Sequence, residues 1–198
     1  MASPPYISDD DAPAKKKILA SALKLFVDRG LCETTIRDIA ADAGYSNPAL
    51  FKHFDSKQAL ALYLFECCYL SLFRAASQAF AAHSSFKDRQ RAIIHVFVHE
   101  LHQDRAAVLF VQENLRHFWP SVNLAIRKHS ILALIRQMLE DGRRQGAVTE
   151  DLDIEILTVT WIGTIQQFAR VWSFGDFQKK ENEIAAQLHR VLLHAVRP

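Results

Sequence analysis

From Ala14 to the end of the chain apolar residues return every three or four positions, and that period restricts the fold more than any other feature. Ile18, Ala22, Leu25 and Phe26 fall on one helical face, and Gly30 follows where a left-handed stop is expected. The spacing predicts a first helix over 14–29, a short one after Thr35, and a third after Ser46 ending near Phe54. A long helix opens at Asp55, with Gln58 completing a capping box, and runs towards Phe80; others follow over 86–102, 105–118, 122–145, 153–174 and 178–196. Turn formers are scarce, with six Gly and six Pro in 198 residues. That is about half the usual share, which disfavours architectures built from many tight turns. No strand alternation, repeat period or low-complexity tract is present, so an all-α chain of about nine helices is expected.

Several function classes are disfavoured early. The longest apolar run in the first half, Ala59 to Phe65, is far shorter than the ~20 residues that cross a bilayer, so no membrane span is expected. The N-terminus has neither a basic leader nor an apolar stretch of signal length, which points to the cytoplasm. Residues 1–13, with Pro4, Pro5, Pro13 and the run Asp9 to Asp11, read as a disordered tail. Cys32, Cys67 and Cys68 suit reduced thiols rather than a disulfide framework, and without Cys-x-x-Cys a thiolate zinc site is not expected. Residues 1–57 carry eight basic and eight acidic side chains, so bulk charge says little about nucleic acid and the arrangement must decide.

The arrangement is informative between Thr34 and Phe54. Thr35 precedes Ile36, Ile39, Ala40 and Ala43, and Asp38 completes a capping box; Gly44 closes the segment after little more than two turns. Ser46 can cap the next helix, with Pro48 in the first turn and Leu50, Phe51 and Phe54 on its apolar side. Two short helices joined at Gly44, with small Ala40 and Ala43 at the crossing, form a helix-turn-helix. In such a unit the second helix enters the major groove. Its outward positions, Asn47, Ala49, Lys52 and His53, are hydrogen-bonding groups and one methyl group. Asn pairs with adenine, Lys with guanine or phosphate, and Ala or Pro with a thymine methyl.

Residues 14–60 resemble the DNA-binding domain of the tetracycline-repressor (TetR) family of bacterial transcription regulators. The resemblance rests on Leu25-Phe26, Arg29-Gly30, Thr34 through Ala40, Ala43-Gly44, Ala49-Leu50-Phe51, His53-Phe54 and Ser56-Lys57. It implies that Thr35, Arg37 and Lys57 meet backbone phosphate and that Asn47, Pro48, Ala49, Lys52 and His53 lie on the recognition helix, which Ser46 caps. Two positions depart from the family. Phe51 stands where Tyr is usual, leaving a hydroxyl–phosphate contact missing and packing as its role, and Tyr45 replaces a smaller aliphatic residue and brings a hydroxyl near the DNA.

The resemblance further implies a division into a DNA-binding domain, 14–57, and an effector-binding and dimerisation domain, 58–198. The effector-binding candidates are Tyr69, Phe73, His99, Phe110, Glu113, His117 and Trp161, aromatic and polar groups suited to a small hydrophobic or aromatic effector. Ile154, Leu157, Trp161, Ile162, Ile165, Phe168, Ala169 and Trp172 form one apolar stripe, and Ile184, Leu188, Val191, Leu192 and Ala195 another, which suggests a homodimer through the last two helices. Dimerisation predicts a palindromic double-stranded DNA operator. Neither catalytic residues nor a cofactor is expected. The alternative is a metal-binding sensor or enzyme, since His95, His99 and His102 share one helix face; a solvated histidine face competes with it, and the step of His99-Glu100-Leu101-His102 is wrong for a zinc hydrolase. A DNA binder of nucleoid type without a ligand is a third reading.

Overall fold

The structure is a computed structural model, and it describes residues 6–175 and 179–198. Its helices are α1 (Pro13–Arg29), α2 (Ile36–Ala43), α3 (Asn47–Phe51), α4 (Lys57–Ala81), α5 (Phe86–Gln103), α6 (Arg105–Phe118), α7 (Leu124–Arg127), α8 (Ile131–Arg144), α9 (Ile154–Ser173) and α10 (Glu181–Ala195), with a 3-10 turn at Trp119–Ser121. Among the described residues there is no strand, and nine of the helices have five or more residues, as the periodicity predicts.

Differences from the sequence reading have local causes. The single helix expected over 122–145 is interrupted, because Asn123 Oδ1 accepts from Ala125 N (2.8 Å) and Ser130 Oγ accepts from Ala133 N (3.2 Å). Such side-chain acceptors satisfy helix-start N–H groups and so begin new helices, α7 and α8. The hydroxyl of Ser56, accepting from Ala59 N (3.0 Å), caps α4 in place of the Asp55 box. The last helix begins at Glu181; the expected start at 178 lies outside the described residues. Of the expected disordered tail, residues 1–5 lie outside the described part, but Tyr6 and Ile7 are buried. The acidic run is tied down as well: Asp11 pairs with Lys15 (2.7 Å), and Lys16 Nζ donates to the Asp9 carbonyl (2.8 Å).

The chain forms two compact units that do not follow a division at residue 57. The first comprises residues 1–71 and 106–127, the second 72–105 and 128–198, so α4 contributes to both. In the first, Ile18, Leu19 and Phe26 of α1, Ile39 of α2, Leu50 of α3, Leu60, Leu64 and Phe65 of α4, and Phe110 of α6 are buried. Phe26 stacks on Phe110 at 5.7 Å and Phe65 meets Phe118 at 5.4 Å. By length and composition α4 could cross a bilayer, with a mean hydropathy of 1.4 over its best window. Leu60, Ala61, Leu64, Phe65 and Cys68 of this helix are buried in this core, which uses part of that apolarity.

In the second unit α5 packs against α8 and α10, and α8 against α9. Phe86, Ile94, Val98, Ile135, Met138, Leu139, Trp161 and Leu192 belong to one buried cluster. Arg89 fixes its corner: Nε donates to the carbonyls of Phe80 (3.2 Å) and His83 (2.7 Å), and the guanidinium pairs with Asp141 (2.5 Å). Gly142 allows α8 its close approach, since a Cβ there would stand 2.5 Å from Val148 Cγ2 and 2.8 Å from the Phe86 ring.

Candidate nucleic-acid interface

The interface is assembled from the end of α1 onward. The buried Thr34 hydroxyl donates to the carbonyls of Leu25 (3.1 Å) and Gly30 (2.9 Å), which fixes the approach to α2. Thr35 then caps α2 reciprocally: its Oγ1 accepts from Asp38 N (3.2 Å), and Asp38 Oδ2 accepts from Thr35 N (2.8 Å). Hydrogen bonds from the Thr35 side chain and then its backbone N–H hold the Asp38 carboxyl below its ordinary range. Lys24 pairs with Asp42 (2.8 Å) across α1 and α2 and lowers that carboxyl in the same way.

Gly44 turns the chain with φ 76°, a left-handed value that favours glycine. Its N–H reaches Ala41 O (3.1 Å), and Tyr45 N reaches Ala40 O (2.8 Å), which closes α2. Ser46 caps α3 through a long contact from Ala49 N (3.4 Å). Fully buried Leu50 roots α3 in the core and thereby turns the rest of the helix outward. Ser46, Pro48, Phe51 and Lys52 are exposed, while Tyr45, Asn47, Ala49 and His53 are half-buried. Thr35 and Arg37 are also exposed, and among the described residues neither Arg37 nor Lys52 forms an ion pair. The outward edge thus offers hydrogen-bonding groups, two unengaged cations and apolar Pro48 and Phe51. This is a surface that can meet phosphates and base edges together.

Two candidate DNA-binding residues sit differently from their sequence assignment. Lys57 is turned onto carbonyls, and Nζ donates to Leu31 O (2.8 Å), Thr34 O (2.9 Å) and Cys32 O (3.3 Å). Those bonds engage all three ammonium protons, so Lys57 pins the loop that presents Thr35. Phe51, assigned to packing, is 49% exposed at the end of α3 because Leu50 takes the inward position.

The effector candidates are divided between the two units. Tyr69, Phe110, Glu113 and His117 lie in the first unit; Phe73, His99 and Trp161 lie in the second. Phe110 is a fully buried core ring, and Tyr69 is buried against Trp119 at 5.1 Å. Glu113 and His117 are exposed, the latter with its ring at 4.7 Å from Phe118. Phe73 faces His129 at 5.0 Å, and exposed His99 pairs with Glu181 (3.1 Å). Trp161 is 3% exposed within the α5–α8–α9 core. Among the described residues no three His, Cys, Asp or Glu side chains are placed to hold a metal, so the His95, His99 and His102 face lacks the convergence that the alternative reading needs.

The expected dimer stripes are largely intrachain core: Leu157, Trp161, Ile165, Ala169, Ile184 and Leu192 are buried. The large apolar residues left outward on α9 and α10 are Ile156 (59% exposed), Val159 (57%) and Val191 (58%). Val191 belongs to the stripe expected on the last helix, whereas Ile156 and Val159 lie three apart off the register of the α9 core stripe and are not part of it.

Comparison with known proteins agrees with this geometry. The family described as "Bacterial regulatory proteins, tetR family" matches residues 18–64, and that described as "YsiA-like protein, C-terminal region" matches residues 70–195. The HTH-type transcriptional repressor KstR2 of Rhodococcus jostii (strain RHA1) is 26% identical over 164 residues, 78% of each chain. The structure of the ketosteroid transcriptional regulator KstR2 of Mycobacterium tuberculosis superposes with a TM-score of 0.83 at 19% identity, covering 97% of this chain and 99% of that one. FadR from Bacillus subtilis, in complex with stearoyl-CoA, does so with a TM-score of 0.74 at 18% identity, covering 91% and 98%. At those identities the two structures establish the fold. With its helix-turn-helix and its C-terminal helices both matched, the chain belongs to the tetR family of bacterial regulatory proteins and is a DNA-binding transcription regulator.

Proposed function

We propose that the protein is a homodimeric repressor that reads a palindromic operator with α3 and releases it when an apolar effector binds the C-terminal helices. The observation that carries the reading is the presentation of α3. Leu50 is sunk in the core while Pro48, Phe51 and Lys52 face solvent and Asn47 and His53 are half-exposed. Outward Ile156, Val159 and Val191 support pairing of α9 and α10 with a second copy, and at exposed Gly163 nothing lies within 4 Å of a Cβ position, which leaves room for a partner's backbone. FadR in complex with stearoyl-CoA and KstR2, described as a ketosteroid regulator, support an effector with a large apolar body. Such an effector lowers operator affinity only by binding the non-reading conformation better, a coupling of typically ~1–3 kcal/mol.

Selection of duplexes from a random pool followed by gel shift tests the reading. The Asn47→Ala, Lys52→Ala double variant retains helix content and self-association but loses at least about tenfold in preference for the selected sequence. A double variant that discriminates as the parent does would remove α3 from the role of reader.

A further inference from the structure

Among the described residues of the second unit, three buried polar side chains have no hydrogen-bond partner: Gln90, through both Oε1 and Nε2; His189, through both ring nitrogens; and Trp161, through Nε1. Gln90 is 0% exposed, Trp161 3% and His189 7%. They lie on α5, α10 and α9, helices that contribute to one core. Gln90 lies on α5 one turn from Phe86 and Ile94, His189 lies on α10 one turn from Ala185 and Leu192, and Trp161, Phe86, Ile94, Ala185 and Leu192 all belong to the buried cluster. α10, which carries His189, packs against α5, and the charged groups that act on His189, Arg91, Lys87, His95 and Asp88, all belong to α5, as Gln90 does. A single orphaned group is a tolerable defect. Five orphaned atoms on three helices facing one core are a set of hydrogen-bonding positions without intrachain partners.

The chemistry of the set selects what can meet it. Gln90 Nε2, the indole N–H and one imidazole N–H donate; Gln90 Oε1 and the other imidazole nitrogen accept. Burial, with Arg91, Lys87 and His95 adding to it, holds His189 below its ordinary value, so the imidazole is neutral at pH 7. None of the three side chains supplies the charge that would compensate a buried carboxylate. A plain hydrocarbon terminus would leave every one of the five atoms unpaired.

We infer that the buried part of the effector carries an uncharged oxygen function, a ketone, ester carbonyl or hydroxyl, on an otherwise apolar body, and that Gln90 and His189 hold it with Trp161 as a further donor. The inference rests on the proposed effector-responsive function and names the chemical class of that effector. Gln90 and His189 act here as specificity-determining residues, discriminating by the cost of leaving them unpaired rather than by shape alone.

The test has two arms on the full-length protein. The first is ligand-free. Gln90→Leu and His189→Leu each remove unpaired buried groups, so each raises the melting temperature, by roughly 2–6 °C for a chain of this size. A fall in both would mean that the groups are satisfied in the free protein, and would overturn the inference. The second arm uses defined probes: cetyl alcohol and methyl palmitate against hexadecane and palmitate, and cholestenone against cholestane, read by thermal shift and by release of the selected duplex. The parent protein favours the alcohol, ester or ketone over its hydrocarbon or carboxylate counterpart by about tenfold, and Gln90→Leu abolishes that preference. If no oxygenated probe is favoured, or if Gln90→Leu leaves the preference intact, the inference fails. The two readings fail separately: absence of sequence-specific DNA binding removes the regulatory proposal without touching the melting-temperature arm, whereas release by hydrocarbon or carboxylate alone removes only this inference.

Discussion

Lys57 is the position at which a family-based role and the observed geometry make opposite predictions. Lys57→Met keeps the aliphatic stem and deletes three donors, to Leu31 O (2.8 Å), Thr34 O (2.9 Å) and Cys32 O (3.3 Å). The first two bonds are part-buried and the third is exposed, so the third adds little. Bonds from a charged donor contribute roughly 1.5–3 kcal/mol when desolvated; discounting both for partial exposure leaves about 2 kcal/mol. For a chain of this length that lowers the melting temperature by roughly 4–8 °C, measurable by calorimetry. The DNA assay separates the two roles. Each phosphate that a lysine neutralises contributes about −0.9 to the slope of log affinity against log salt, and an ammonium whose three protons go to carbonyls makes no direct phosphate contact. The slope of Lys57→Met should therefore equal that of the parent once binding is measured well below its melting point. An unchanged melting temperature together with a slope shallower by about one would show that the ammonium leaves the carbonyls for DNA, and the structural role assigned to it would be wrong.

Two other perturbations follow from the second unit. Gly142→Ala places a methyl group 2.5 Å from Val148 Cγ2 and 2.8 Å from the Phe86 ring, so despite the helix propensity gained it should destabilise by about 1–3 kcal/mol, measured by urea denaturation; a stabilised variant would refute the close packing. His189 has a folded-state pKa below its ordinary 6.5, so the unfolded chain binds the proton first and stability declines as pH falls through about 6.5. Glu100 works in the opposite direction at lower pH, because burial raises its carboxyl above 4.5, and the lowered Asp38, Asp42 and Asp88 lose their contributions only below about 3.8. The difference between the parent and His189→Leu in denaturation at pH 7 and pH 5.5 isolates the histidine, and the variant should lose less stability than the parent over that interval.

The sequence by itself determined what is local. Helix period, caps and stops are decided by neighbours within four residues, so the capping box of Thr35 and Asp38, the left-handed Gly44 and the register of α2 and α3 could be read without a fold. It was less successful where two local signals competed. Asn123 and Ser130 break an apolar pattern that looks continuous, and Ser56 takes the capping role from Asp55 one position away. Tertiary structure alone decided which side of each helix meets protein. An apolar stripe reads alike whether its partner is in the same chain or another, and only packing assigned Trp161 and Ile165 to the core while leaving Ile156, Val159 and Val191 outside. It also placed Lys57 on carbonyls more than twenty residues away and left Gln90 and His189 without partners, because a hydrogen bond depends on distances that the order of residues does not encode.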